Sequence, residues 1–243
     1  MKSDSLSRKK TEAHRCAHSR SHGFGLFVHL RLREVFRSSR DIELDSKTIL
    51  CSCCGHGVEV GFFLEVGMEI TGLDISSEML KECRRKYRDW HMSLNLVLGD
   101  AERMPFRNNS FDVALVVAGL HHLAHPYEGI NELARVSKNV IALIDLVEPL
   151  ITRIFKHIPL FRKEWLGIEP NRLKLTRMRA TLESNGLTIQ KIINQFGYLP
   201  GVFRALVNES AEKALFKIQQ TTFRFIPALV EVSCNEVIVV AYK

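Results

Sequence analysis

The succession of apolar and polar segments predicts an α/β fold: a doubly wound, seven-stranded, mostly parallel sheet of the Rossmann-like kind. Three observations carry this. Short apolar runs recur at Ser46–Cys53, Glu69–Leu73, Leu94–Leu98, Phe111–Val117 and Val140–Leu146. Stretches with helical spacing separate them, and the first run leads straight into a glycine turn, CCGHG at 53–57. Near-continuous apolar runs suit strands covered on both faces, and strand–helix alternation calls for parallel strands joined by right-handed crossovers.

In chain order, Val58–Val66 is the helix behind the first strand. Ser76 or Ser77 caps the helix after the second strand; Met79, Leu80, Cys83 and Tyr87 recur on its inner face while Lys81, Arg84, Arg85 and Lys86 face water. Pro126–Val136 places Ile130, Leu133, Ala134 and Val136 at helical spacing. Regularity breaks between Glu148 and Lys174, a basic amphipathic stretch with three prolines. Thr176–Ser184 resumes a helix that Asn185-Gly186 stops. Leu187–Ile193 is the sixth strand and Glu236–Tyr242 the last, preceded by a helical pattern over Phe203–Phe225. Glu12–Arg40 reads as a helix over the edge of the domain or across a site. The organisation is therefore a basic N-terminal extension or partial lid at 1–40 and one domain at 41–243 with an insertion at 148–174.

The 243 residues, 46% of them hydrophobic, suffice for one full core and exclude a second large domain. Residues 1–40 carry ten Lys or Arg against three acidic residues, whereas the remainder balances at 24 of each. The calculated pI of 9.2 thus describes a charged leader on a neutral body, and does not by itself indicate nucleic-acid binding. No apolar run reaches the roughly 18 residues of a spanning helix. The expectation is a soluble, cytoplasmic protein with no membrane span and no secretory signal. The cysteines are Cys16, Cys51, Cys53, Cys54, Cys83 and Cys234. Without a second CxxC or an HxxxH, they read as buried thiols in a reducing compartment and not as a metal site. Strand alternation puts Cys51 and Cys53 on one side and Cys54 on the other.

Gly55 and Gly57 let backbone come close to a ligand, and Asp74 at the end of the second strand offers one carboxylate to two ribose hydroxyls. Asp74 stands seventeen positions beyond Gly57, near the spacing of a nucleotide-binding unit; the plainer role for it is capping the helix that follows. A nicotinamide dehydrogenase would need a third glycine where Val60 stands.

ILCSCCGHG (49–57), ITGLD (70–74), LVLGDAERMPF (96–106) and NNSFDVALVVAGLHHL (109–123) together resemble the class I S-adenosyl-L-methionine-dependent methyltransferases, in the subgroup that methylates small molecules. The likeness covers Thr48 to Ile144. It implies a final antiparallel strand, S-adenosyl-L-methionine as cofactor, a small-molecule acceptor, and a cofactor site of Cys51, Cys53, Gly55, His56, Gly57, Asp74, Ile75, Asp100, Ala101 and Ala118. In that pattern Asp74 holds the ribose, Ile75 covers an adenine face, Asp100 accepts the adenine amino group and the Ala101 amide faces a ring nitrogen. Two positions depart from it. Cys51 stands where an acidic residue is usual, and Cys53 where the first glycine is usual.

Methyl transfer from a sulfonium asks mainly for alignment and exclusion of water, which can lower a barrier by about 7 to 11 kcal/mol. A general base is optional. His121, His122 and His125 in AGLHHLAHP, together with Asp145 and Glu148 after the fifth strand, are the titratable candidates; His121 and Asp145 are the two taken as catalytic. Two rival functions remain: an RNA methyltransferase, suggested by the basic leader, and a degenerate non-catalytic binding module, suggested by Cys51. The acceptor and the oligomeric state are not written in these motifs.

Overall fold

The computed structural model describes Leu32 and residues 48–65, 68–90, 93–147, 173–195 and 236–243. Seven strands form one sheet: β1 (Ile49–Ser52), β2 (Ile70–Asp74), β3 (Leu94–Leu98), β4 (Phe111–Val117), β5 (Ser137–Leu146), β6 (Thr188–Gln195) and β7 (Glu236–Tyr242). Four helices accompany them: α1 (Val58–Glu65), α2 (Ser77–Lys86), α3 (Pro126–Val136) and α4 (Leu175–Ser184). The spatial order is β3-β2-β1-β4-β5-β7-β6, with β1 to β5 parallel and β7 antiparallel to both neighbours. The sheet reverses direction of winding at β1, whose neighbours are β2 and β4. That reversal opens a crevice at the carboxyl ends of these strands.

Two apolar layers hold the sheet. Ile49, Cys51, Ile70, Val113, Leu115 and Ile144 point to the layer containing Val60, Phe63, Leu80 and Cys83 of α1 and α2. Leu50, Leu73, Ala114, Val116 and Leu143 point to the opposite layer, with Ile130 and Leu133 of α3 and Met178 and Leu182 of α4. Each fully buried Leu, Ile or Phe contributes about 1.5 to 3 kcal/mol by leaving water. The register of β1 on β4 is pinned at its start by a reciprocal clamp. The Thr48 amide and hydroxyl donate to Asp112 Oδ2 at 2.9 and 2.7 Å, and the Asp112 amide donates back to Thr48 Oγ1 at 3.1 Å.

The expected strands, and the expected helices that fall on described residues, are present within a few residues; β3, β4, α3 and β7 have the expected bounds. Ser76, not Ser77, caps α2, accepting from the Met79 amide at 3.3 Å. The helical patterns expected at 12–40 and 203–225 lie outside the described residues except for Leu32, which is helical and fully buried in the α1 layer. The insertion also lies outside them from 148 to 172, but Val147 and Leu173 form a parallel bridge at its two ends.

The alternation expected for the cysteines does not hold. Cys51 and Cys54 share the α1 layer, whereas Cys53 packs toward the α3 layer. The strand ends at Ser52, and Cys53 takes φ +55°, a left-handed turn that breaks the two-residue period before Cys54.

Candidate cofactor and catalytic cleft

The 53–57 turn crosses the carboxyl end of β1 and is tied to the end of β2. The Gly55 amide donates to Asp74 Oδ2 at 2.8 Å and the Cys54 amide to the Leu73 carbonyl at 3.0 Å. Gly55 has φ +51°, and a Cβ there would meet nothing within 4 Å. The backbone is bare where the crevice opens. Gly57 has a different reason for being glycine: at φ +80°, its Cβ would lie 2.5 Å from Cys83 Sγ and 3.0 Å from the Tyr87 ring. The Tyr87 hydroxyl donates to its carbonyl at 2.6 Å. Packing on α2 therefore explains Gly57, whereas Gly55 faces open space.

Asp74 is not the α2 cap, since Ser76 fills that role; its Oδ1 instead accepts from the Ser76 amide at 2.9 Å. Each carboxylate oxygen thus receives one backbone donor and keeps acceptor capacity for one more. Burial raises the Asp74 pKa, and the amides of Ser76, Gly55 and Ile75 oppose that rise. Beside it, Ile75 and Leu98 are 68% and 60% exposed, the two large apolar side chains left open among the described residues, at the ends of paired strands. Asp100 begins a tight turn in which its Oδ1 accepts from the Glu102 amide at 2.8 Å. Ala101 is buried beneath that turn. Arg135 and Glu132 of α3 hold the segment that follows: Arg135 donates to the carbonyls of Phe106 and Met104, and Glu132 accepts from the Met104 amide.

Across β1, Ala118 ends β4 at φ +50°, and its amide donates to the Ile144 carbonyl at 2.7 Å. Gly119 lies under the Cys53 side chain, where an added Cβ would come 2.5 Å from Cys53 Cβ. Cys53 is thus wedged between the ends of β1 and β4. Burial and the carboxylate of Asp74 push its thiol well above the usual range, so it is neutral at ordinary pH and no nucleophile. Cys51, placed in the cofactor site by resemblance, is fully buried under α1, and burial with the charge of Glu59 raises its thiol likewise. His56 is half-buried, and burial, then Lys86 of α2, lowers its pKa.

Asp145 and His121 form one unit. His121 Nδ1 lies 2.6 Å from Asp145 Oδ1, and the same carboxylate accepts from the amides of Gly119 (3.0 Å), Leu120 (2.7 Å) and Leu146 (2.7 Å). Asp145 is completely buried, which keeps it from any acceptor molecule. His121 is 8% exposed, in a 3-10 turn (Leu120–His122), with its ring centroid 3.9 Å from that of His122. His125 ends up at the start of α3, its amide donating to Glu102 Oε1. Among the described residues no three His, Cys, Asp or Glu side chains are grouped to hold a metal ion.

Residues 50–141 match the family model described as a methyltransferase domain. Over 108 residues the chain is 29% identical to the demethylmenaquinone methyltransferase of Paenarthrobacter aurescens, a match covering 44% of this chain and 41% of that protein. Over 102 residues it is 34% identical to phthiotriol/phenolphthiotriol dimycocerosates methyltransferase 1 of Mycobacterium ulcerans, covering 41% of this chain and 37% of that protein. The chain therefore spans about two fifths of the length of these relatives. The fold is shared with magnesium protoporphyrin IX methyltransferase from Synechocystis, solved with bound SAH: TM-score 0.61 at 15% identity, over 91% of this chain and 84% of that one.

S-adenosyl-L-methionine is the cofactor this likeness implies, and one half of the cleft fits it plainly. A buried carboxylate with spare acceptors, an open glycine and two exposed apolar side chains suit ribose and adenine. The other half is rebuilt, with thiols at 51 and 53. The residue that motif reading missed is Glu59. It is 4% exposed, one of its oxygens has no hydrogen-bond partner, and burial pushes its carboxyl up to about 8. Its place as the second residue of a helix, preceded by Val58, gave no sign that it would be covered.

Proposed function

We propose that this chain transfers a methyl group from S-adenosyl-L-methionine to an oxygen, nitrogen or carbon of a small-molecule acceptor, leaving S-adenosyl-homocysteine. The observation that carries this is the Asp74–Gly55 junction, a carboxylate fastened to an open glycine turn at the winding reversal of the sheet. Small-molecule acceptors are favoured by the names of the relatives, whose substrates are demethylmenaquinone and phthiotriol or phenolphthiotriol dimycocerosates. Asp74 holds the ribose, Ile75 covers one adenine face, Asp100 and the Ala101 amide face the adenine edge, and Ala118 lines the amino-acid end.

The cofactor supplies an already activated methyl group; the chain supplies alignment and a proton acceptor. Asp145 takes the Nδ1 proton of His121 in its hydrogen bond, which leaves the Nε2 lone pair of His121 for a proton lost by the acceptor. The resulting imidazolium is stabilised by the same carboxylate. His121 is thus the catalytic residue of the pair, and Asp145 positions it while tying the 119–121 turn to β5.

The test is calorimetric titration with S-adenosyl-L-methionine, followed by a mass-spectrometric screen of cofactor-loaded protein against metabolite extracts. Saturable binding with transfer to an extract component supports the proposal. No binding at hundred-micromolar cofactor removes it, and binding without turnover on any acceptor returns the chain to a binding-only module, which Cys51 in place of an acidic residue favours. With an acceptor in hand, His121→Ala lowers kcat about a hundredfold with cofactor Kd unchanged.

A further inference from the structure

Resting on that cofactor reading, we infer that Glu59, in the first turn of α1, supplies the carboxylate that β1 lacks and is the counter-charge for the cofactor's ammonium group. The cofactor brings a primary ammonium into a largely buried cleft, where a cation without an anionic partner is costly. The family pattern meets this from β1; here that position is Cys51, a small neutral thiol with no exposure. Two acidic side chains are buried among the described residues, Glu59 and Asp145. Asp145 is saturated by three amides and His121. Glu59 keeps Oε1 buried and without a partner.

Location agrees with this assignment. Side chains in a helix's first turn lean back toward its N-terminus, which for α1 is the 53–57 turn, and the positive end of the helix dipole there favours a negative charge. Glu59 acts directly on the thiol at the vacated position, being the strongest charge felt by Cys51, Cys54 and Cys83. A long acid over a short thiol carries the carboxyl group back over β1 from the neighbouring helix. The charged and titratable groups facing Glu59 are Asp74 from β2, Lys86 and Cys83 from α2, Cys51 from β1, and Cys53 and Cys54 from the turn that follows it. Of these Lys86 alone is cationic, and its pull on Glu59 is weaker than the push of burial. The carboxyl is therefore mostly protonated at neutral pH, and an arriving ammonium drives the proton off.

The experiment is titration calorimetry of the full chain at pH 7 in two buffers of different ionisation enthalpy, with S-adenosyl-L-methionine and with 5′-methylthioadenosine, which lacks the amino-acid tail. Wild type is expected to release about one proton with the first ligand and none with the second. Glu59→Gln is expected to lose proton release and about tenfold or more in affinity for S-adenosyl-L-methionine, while holding 5′-methylthioadenosine as before. Adding Cys51→Asp to Glu59→Gln is expected to recover the affinity. No proton release by wild type, which needs no variant to fold, overturns the inference. So does unchanged S-adenosyl-L-methionine affinity in Glu59→Gln. Wild type that binds neither ligand overturns the methyltransferase proposal itself, whereas binding of both with Glu59 indifferent overturns this inference alone.

Discussion

The two halves of the cleft are built on different terms. On the β2 and β3 side, Asp74, Gly55, Ile75 and Asp100 stand where the family pattern wants them, and each has a local structural support. On the β1 side, a thiol replaces the acid, a second thiol replaces a glycine, and a carboxyl group enters from α1. On the proposed reading the difference teaches that ribose recognition depends on one carboxylate at one strand end, whereas an ammonium needs only a nearby anion. A pocket built for ribose is fixed in place; a counter-charge can migrate between elements.

The largest effect that would sharpen the contrast concerns Glu59 in the absence of cofactor. Its folded pKa of about 8 lies above its unfolded value, so the folded state binds the extra proton and stability falls as pH rises from about 4.5 to 8. Glu59→Gln removes that penalty: at pH 9 it gains on the order of 4 kcal/mol over wild type, and at pH 4 almost nothing. Urea unfolding across pH reads it directly; parallel curves for the two proteins would contradict it. Next comes Asp74→Ala, which loses two acceptors in the ribose half and weakens cofactor binding by roughly a hundredfold or more, about 3 kcal/mol by calorimetry. An unchanged Kd would break the comparison at its firmer side.

The two glycines divide in the same way. Gly57→Ala forces a methyl group against Cys83 and Tyr87 at positive φ and costs about 2 kcal/mol of stability in thermal unfolding, with a secondary effect on binding. Gly55→Ala meets open space, so it loses only about 1 kcal/mol of stability but narrows the cofactor's approach. Equal unfolding penalties for the two would refute that division. The smallest effect belongs to Cys53→Gly, which restores the family residue at φ +55° and gains about 1 kcal/mol from relieved backbone strain. A drop in melting temperature instead would mean that the thiol's packing against Gly119 outweighs the strain.

Apolar runs in sequence were enough to place every described strand, because strands covered on both faces have little polar content to confuse the signal. The place of Asp74 as the last residue of β2 was equally legible. Three things were not. Whether a glycine faces ligand or helix depends on what α2 brings against it, and Tyr87 lies thirty positions away. The sidedness of Cys53 and Cys54 turned on one positive φ, which a strand period cannot anticipate. Glu59 carried no signal in sequence, since helix N-termini favour acidic residues in any case, and only the packing of α1 over β1 shows it covered. His121 and Asp145 were each candidates in sequence, but their union across the ends of β4 and β5 is a tertiary fact.

The bridge between Val147 and Leu173 has a consequence for the chain that runs between them. A chain excursion that departs and returns at adjacent points can be lengthened, shortened or exchanged for another without moving either neighbouring strand, since the closure cost of a longer loop grows only slowly. The scaffold therefore fixes both ends of the 148–172 segment beside β5, so that its length and composition can change without displacing Asp145 or His121.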